Sequence, residues 1–211
     1  MPLRVKEPFS CYSHLAGVLL AIPGLVWLIL RADGDPWRTV GFTIYGMSLI
    51  LLYSASSLYH GLPVSPRTED WLRRFDHIAI YLLIAGSYTP MCLITLRGRF
   101  GWSLFAVVWA IAFAGTALKL FFPHLPRVVT TALYLGMGWM GVVAIAPLLQ
   151  AVPAGGVHWL LIGGVSYSVG AVIYAIGRPD PFPDVFGSHD IFHLFVLAGS
   201  VCHFVFVVGY V

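Results

Sequence analysis

Seven stretches of this chain are apolar without relief for about the 20 residues that a helix needs to cross a bilayer. They run approximately His14–Leu30, Val40–Tyr59, His77–Leu96, Trp102–Phe121, Val128–Leu149, His158–Ile176 and Ile191–Tyr210. None leaves a polar face for water. A soluble helix of that length shows a charged side, and soluble domains carry about 25% charged residues. Here the figure is 10%, with 59% hydrophobic, so lipid is the implied solvent. The first stretch resembles a signal peptide only superficially. Its apolar part, Leu15–Leu30, is too long and no small-residue cleavage site follows, so it reads as the first span. The expectation is an all-α polytopic membrane protein, a seven-transmembrane-helix bundle forming one membrane domain over residues 1–211.

The intervening segments are short and carry Pro, Gly or charge. Lys and Arg favour the cytoplasmic side of a membrane protein. With the N-terminus inside, Arg4, Lys6, Arg67, Arg73, Arg74, Lys119, Arg127 and Arg178 lie inside, and Arg31, Arg38, Arg97 and Arg99 lie outside. The excess predicts an internal N-terminus and an external C-terminus. Trp37, Trp71, Trp102, Trp159 and Tyr210 fall near span ends, where amphipathic rings favour the headgroup layer. The net charge of +3 is assigned to loops and topology and indicates no nucleic-acid partner. Cys11, Cys92 and Cys202 are odd in number and far apart, without a CxxC, so they read as packing residues rather than disulfide or thiolate ligands.

Ionisable groups at membrane depth are costly, and each is a functional candidate. Ser56 and His60 close the second stretch, Asp76 opens the third, and His189 and His193 open the seventh. His189 and His193 are spaced i, i+4, which places both imidazoles on one helix face, about 6 Å apart along the axis. An HxxxH alone is a weak signal. Its weight comes from topology: with seven spans, His60, Asp76, His189 and His193 all reach the inner leaflet, and removing one span would separate them. Three imidazoles and one open position make the donor set of a catalytic zinc site. Zinc would bring the pKa of a water towards about 7, with Asp76 as general base or water-orienting group and the Ser56 hydroxyl bonding water or substrate.

Simpler roles exist for each residue alone. A histidine at a helix end is ordinarily an interfacial polar group. Asp76 beside Arg73 and Arg74 suits a helix-start ion pair, and Ser56 suits a bond to the preceding turn. His14 is a candidate for the same cavity. His77 reads as a packing residue, and His203 as a polar contact between helices. His124 and His158 suggest no role.

At these residues the sequence resembles bacterial hemolysin III-type proteins of the progestin and adipoQ receptor superfamily, which includes the adiponectin receptors. The segments are Ser-Ser-Leu-Tyr-His at 56–60, the run from Arg73 to Pro90 containing Arg-Arg-Phe-Asp-His, and Gly-Ser-His-Asp-Ile-Phe-His-Leu-Phe-Val-Leu-Ala-Gly-Ser at 187–200, with a weaker match in Ser-His-Leu-Ala-Gly at 13–17. The resemblance implies seven helices, an internal N-terminus and zinc near the cytoplasmic leaflet. It implies His60, His189 and His193 as zinc ligands, with Asp76 and Ser56 beside them. The wider superfamily implies hydrolysis of a membrane lipid amide, as by a ceramidase. Two other functions remain to be weighed: a regulator of membrane state in which zinc is structural, and a pore-forming hemolysin. The chain shows no amphipathic pore segment.

Overall fold

The computed structural model describes residues 5–183 and 185–211; Arg4, counted above among the inside cations, lies outside them. Proline sets the start of three helices. It stands in the first turn, where its missing N–H costs nothing, in α1 (Pro8–Leu30), α2 (Pro36–Gly61) and α3 (Pro66–Pro90). The Asp35 carboxylate caps α2, accepting from the Trp37 and Arg38 amides at 2.7 and 2.9 Å. A π-helical turn, Met91–Thr95, prolongs α3. Then come α4 (Arg99–Phe121), α5 (Arg127–Trp139), α6 (Ile145–Ala151), α7 (Ala154–Ile176) and α8 (Ser188–Tyr210). Helix α7 ends at Gly177, whose φ of 72° is a left-handed cap that favours glycine.

With α5 and α6 joined into one span, seven helical segments are long and apolar enough to cross a membrane. Helices α2 and α3 are the most buried; the α5–α6 span and α7 are the least. The most extensive pairings are α7 on α8, α1 on α2 and α2 on α3, and α1 also meets α8. Bilayer helices gain no hydrophobic drive from each other, so close approach of small residues matters. Gly17 shows this: a Cβ there would stand 2.8 Å from the Tyr53 ring, so α1 and α2 touch at this level only because the side chain is absent.

The fifth stretch is not one continuous helix. A 3₁₀ turn, Met140–Ala144, separates α5 from α6. Such a break frees backbone polar groups, and lipid cannot satisfy them. Tyr88 on α3 does. Its hydroxyl accepts from the Gly141 amide at 2.7 Å and donates to the Met137 carbonyl at 3.1 Å, with Gly138 O also in contact.

Helices extend past the apolar windows. Helix α3 begins at Pro66, eleven residues before the predicted His77, so the 66–76 portion of the predicted connection is helical. Helix α8 begins at Ser188, placing both histidines of the HxxxH inside it. Apolar windows report the lipid-embedded length, whereas a helix continues into water wherever caps and ion pairs sustain it. A second correction concerns the cations. Lys119 lies within α4 rather than a loop, and it is 4% exposed.

Candidate metal centre

The starts of α1, α3 and α8 meet the end of α2 at one face of the bundle. The Lys6 and Glu7 amides donate to the Gly61 and His60 carbonyls at 3.3 and 2.9 Å, using carbonyls that the last turn of α2 leaves open. Lys6 Nζ reaches Glu69 Oε1 at 2.9 Å. Asp190 fixes the first turn of α8. One carboxylate oxygen accepts from the Gly187 amide at 3.0 Å, and the other accepts from the Ser10 hydroxyl of α1 at 2.7 Å.

This framework brings His60, His189 and His193 together. The Nε2 atoms of His60 and His189 are 3.2 Å apart, and those of His189 and His193 are 3.1 Å apart. His60 and His193 are each 2% exposed and His189 is partly buried. The outer nitrogens identify the tautomers. His60 Nδ1 meets the Glu7 carboxylate, which can only accept, so Nδ1 carries the proton. His193 Nδ1 faces Ser13 Oγ at 3.4 Å; that hydroxyl gives its own proton to the Ser10 carbonyl at 3.1 Å and is therefore the acceptor. With Nδ1 protonated, a neutral imidazole at each position would turn its Nε2 lone pair to the same point, beside His189 Nε2. Converging lone pairs repel in a buried site unless a cation lies among them. Ligands about 2.0–2.1 Å from a tetrahedral ion stand about 3.3–3.4 Å apart, close to the separations found. The donor set fits a metal ion, and the three histidines are close enough to hold one.

Asp76 and Ser56 line the same cavity, 8% and 1% exposed. Asp76 is ten residues into α3 and so well below its start. The ion pairs expected of it with Arg73 and Arg74 are made by Asp70 instead, at 2.6 Å to Arg73 and 2.8 Å to Arg74 Nε. Asp76 has His77 Nδ1 at 3.8 Å, and that nitrogen donates to the Arg73 carbonyl at 2.6 Å. His77 borders the cavity too. His14 also joins the site, its ring stacked on His193 with centroids 3.7 Å apart. Neither His14 nitrogen has a hydrogen-bond partner among the described residues. His203 lies deeper, edge-on to Tyr167 at 5.4 Å. His124 accepts from Arg73 at 3.3 Å.

Sequence reading missed Glu7. Its backbone and side chain both fasten to His60, the carboxylate–histidine pairing that orients metal ligands and raises their basicity. The hydrogen bond from His60 holds the Glu7 carboxyl below the usual carboxylate range, so it remains an anion near neutrality. The available signal was an acidic residue directly before Pro8, seven residues ahead of the first apolar stretch. Ser13 and Asp190 carried no signal beyond their neighbours.

Below the histidines runs a cavity of about 610 Å³, within the range of small-molecule sites. Its wall follows α3 from Asp76 to Met91, about 22 Å at 1.5 Å per residue, and apolar groups such as Leu83, Ile84, Leu148 and Leu160 complete it.

Comparison with known proteins agrees with this architecture. Residues 3–204 match the family model described as "Haemolysin-III related". The chain is 43% identical to "Hemolysin-3" of Bacillus cereus, over 98% of this chain and 93% of that one. It is 42% identical to "Hemolysin-3 homolog" of Bacillus subtilis (strain 168), over 97% and 94%. The human "Monocyte to macrophage differentiation factor" is 28% identical over 96% of this chain and 83% of its own length. The match along nearly the whole chain, together with seven apolar spans, makes this a multi-pass membrane protein, of the inner membrane in a bacterium, that belongs to the haemolysin-III related family.

Proposed function

We propose that the protein is a zinc-dependent hydrolase embedded in the membrane, acting on a lipid amide at the histidine face. The observation that carries the reading is the convergence of three histidines, two of them anchored through Nδ1, at the head of a long apolar cavity. Three nitrogen ligands without a thiolate leave a coordination position open, as hydrolytic zinc sites do. Zinc bound there would supply Lewis acidity and an activated water at neutral pH.

The chain's own groups account for the remaining work. His60, held by Glu7, and His193, held by Ser13, present lone pairs in a fixed direction. Asp76, free of an arginine partner, accepts the water proton and returns it to the leaving amine. The Ser56 hydroxyl donates to the water or the amide carbonyl. The apolar walls hold the acyl chain and exclude bulk water from the amide. The excess of Lys and Arg on the histidine side turns this face to the cytoplasm. A regulatory reading has one observation in its favour: the ligands come from α2 and α8, which an ion would staple together. The name "Hemolysin-3" of the Bacillus cereus relative suggests lysis, whereas seven helices long and apolar enough to cross a membrane favour a resident membrane protein.

The test begins with metal content of detergent-purified wild type beside His189→Ala. One zinc per chain, lost in the variant, is expected, followed by lipid-amide hydrolysis that Asp76→Asn lowers by about 10²–10⁴-fold with zinc retained. Absence of metal after zinc is supplied overturns the reading. Undiminished function of Asp76→Asn in cells transfers the site to the regulatory role.

A further inference from the structure

The metal chemistry leaves one set of charges unused. Lys119, Arg127 and Arg73 border the cavity on the histidine face, beside Asp76, His77 and Tyr174. Lys119 is the anomaly. It stands two residues before the end of α4, so its stem could snorkel to water as lysines at span ends do. Instead the side chain turns inward and is buried, and Nζ donates to Thr130 Oγ1 at 3.0 Å. A neutral hydroxyl takes one of three ammonium protons. Lysine is almost never buried unless paired, because desolvating an ammonium costs several kcal/mol. No carboxylate among the described residues pairs with Lys119 or Arg127.

Arg127 forms the outer part of the rim. It is exposed, donates to the Tyr174 carbonyl at 3.2 Å and lies over the Tyr174 ring at 4.7 Å. The same ring is 5.4 Å from His189. One tyrosine therefore separates this cationic rim from the metal centre. Arg73 completes the rim from α3, sharing the single carboxylate of Asp70 with Arg74. The carboxylates that line the same cavity are Glu7, bonded to His60, and Asp76, and neither forms an ion pair with Lys119 or Arg127.

We propose that Lys119 and Arg127, with Arg73, form a subsite for the anionic head of an amphiphile whose chain fills the cavity. This inference rests on the hydrolase reading in one respect: it makes the substrate a lipid amide bearing a carboxylate or phosphate on its head side, rather than a neutral one. The acyl chain lies along α3, the amide at the histidines, and the anion one ring further out. Arg127 and Lys119 supply charge-assisted hydrogen bonds that neutral heads cannot accept with the same strength.

The test uses zinc-loaded Asp76→Asn protein in detergent, so that turnover cannot distort binding. The probes are N-oleoylglycine and N-oleoylethanolamine, which share chain and amide and differ in one carboxylate, and N-acetylglycine, which has the carboxylate without the chain. N-oleoylglycine should bind about tenfold tighter or more than N-oleoylethanolamine. Adding Lys119→Gln or Arg127→Gln should remove the preference while zinc content stays at one per chain, and Lys119→Arg should keep it, which separates charge from misfolding. Equal binding of the two lipids, or a preference that survives both glutamine changes, overturns the subsite. N-acetylglycine binding as tightly as N-oleoylglycine overturns the amphiphile and leaves a free-anion site. The two readings fail separately. A preference with no hydrolysis in wild type sinks the hydrolase alone, and equal hydrolysis of both lipids sinks the subsite alone.

Discussion

Substitution of Glu7 gives the sharpest measure of how the histidine cluster is held. Among the described residues the Glu7 carboxylate is the sole partner of His60 Nδ1, and the Glu7 amide donates to the His60 carbonyl at 2.9 Å. The backbone bond survives any side-chain change, so the register of α1 on α2 is retained and the effect falls on the imidazole. Loss of such outer partners weakens metal binding by about 10- to 100-fold, or about 1.4–2.7 kcal/mol. The two ends of that range belong to different variants. Glu7→Gln keeps an acceptor oxygen in place and loses only the charge, which solvent already screens at this half-exposed residue; about tenfold is expected. Glu7→Ala leaves a buried N–H unpaired and the tautomer unfixed, and about 100-fold is expected. The assay is competition for zinc against a chelator of known affinity, at neutral pH in detergent, with thermal unfolding as a control for the fold. Zinc affinity of Glu7→Ala equal to wild type would refute the reasoning, as would a larger loss in Gln than in Ala.

Two further outcomes follow from features away from the site. Tyr88→Phe should destabilise the bundle by about 1–2 kcal/mol, because the Gly141 amide and the Met137 carbonyl lose their partner in the apolar interior; unfolding in detergent measures it, and an unchanged midpoint would disprove the account of the break. Asp35 should give a small acid-dependent loss of stability. The Arg38 amide foremost, with the Trp37 amide, holds its carboxyl below the ordinary value, so its contribution is full above about pH 4 and disappears as pH falls through the lowered folded-state value. Asp35→Asn keeps an acceptor but does not titrate, so that part of the acid limb should vanish from its pH–stability profile.

Seven spans were legible because lipid imposes a length and an apolarity that sequence displays directly. The convergence of His60, His189 and His193 was legible for a related reason: an odd or even number of crossings decides which ends share a face, and i, i+4 spacing decides which side chains share a side. Details decided by side-chain direction were not. Nothing in Thr-Ala-Leu-Lys-Leu-Phe-Phe at 116–122 says whether Lys119 reaches out to water or in to Thr130. Asp70 and Asp76 are both near Arg73 and Arg74 in sequence, but helical spacing of three and four favours Asp70. The break after Trp139 had a hint in Gly136, Gly138 and Gly141, but its repair by Tyr88 depends on tertiary packing. Glu7 likewise acquires its role only when α1 lies against α2.

The pairing of His60 with His189 spans 129 residues of chain. At a synthesis rate of about 5–20 residues per second, the first ligand waits roughly 6–26 s for its partners. Four intervening spans enter the bilayer in that interval, so the cavity wall precedes the centre at its mouth. A translation product halted before α8 holds His60 and Glu7 but no His189 or His193. Any metal held by all three histidines would thus be captured late in biogenesis, after the last span has inserted and closed against α1.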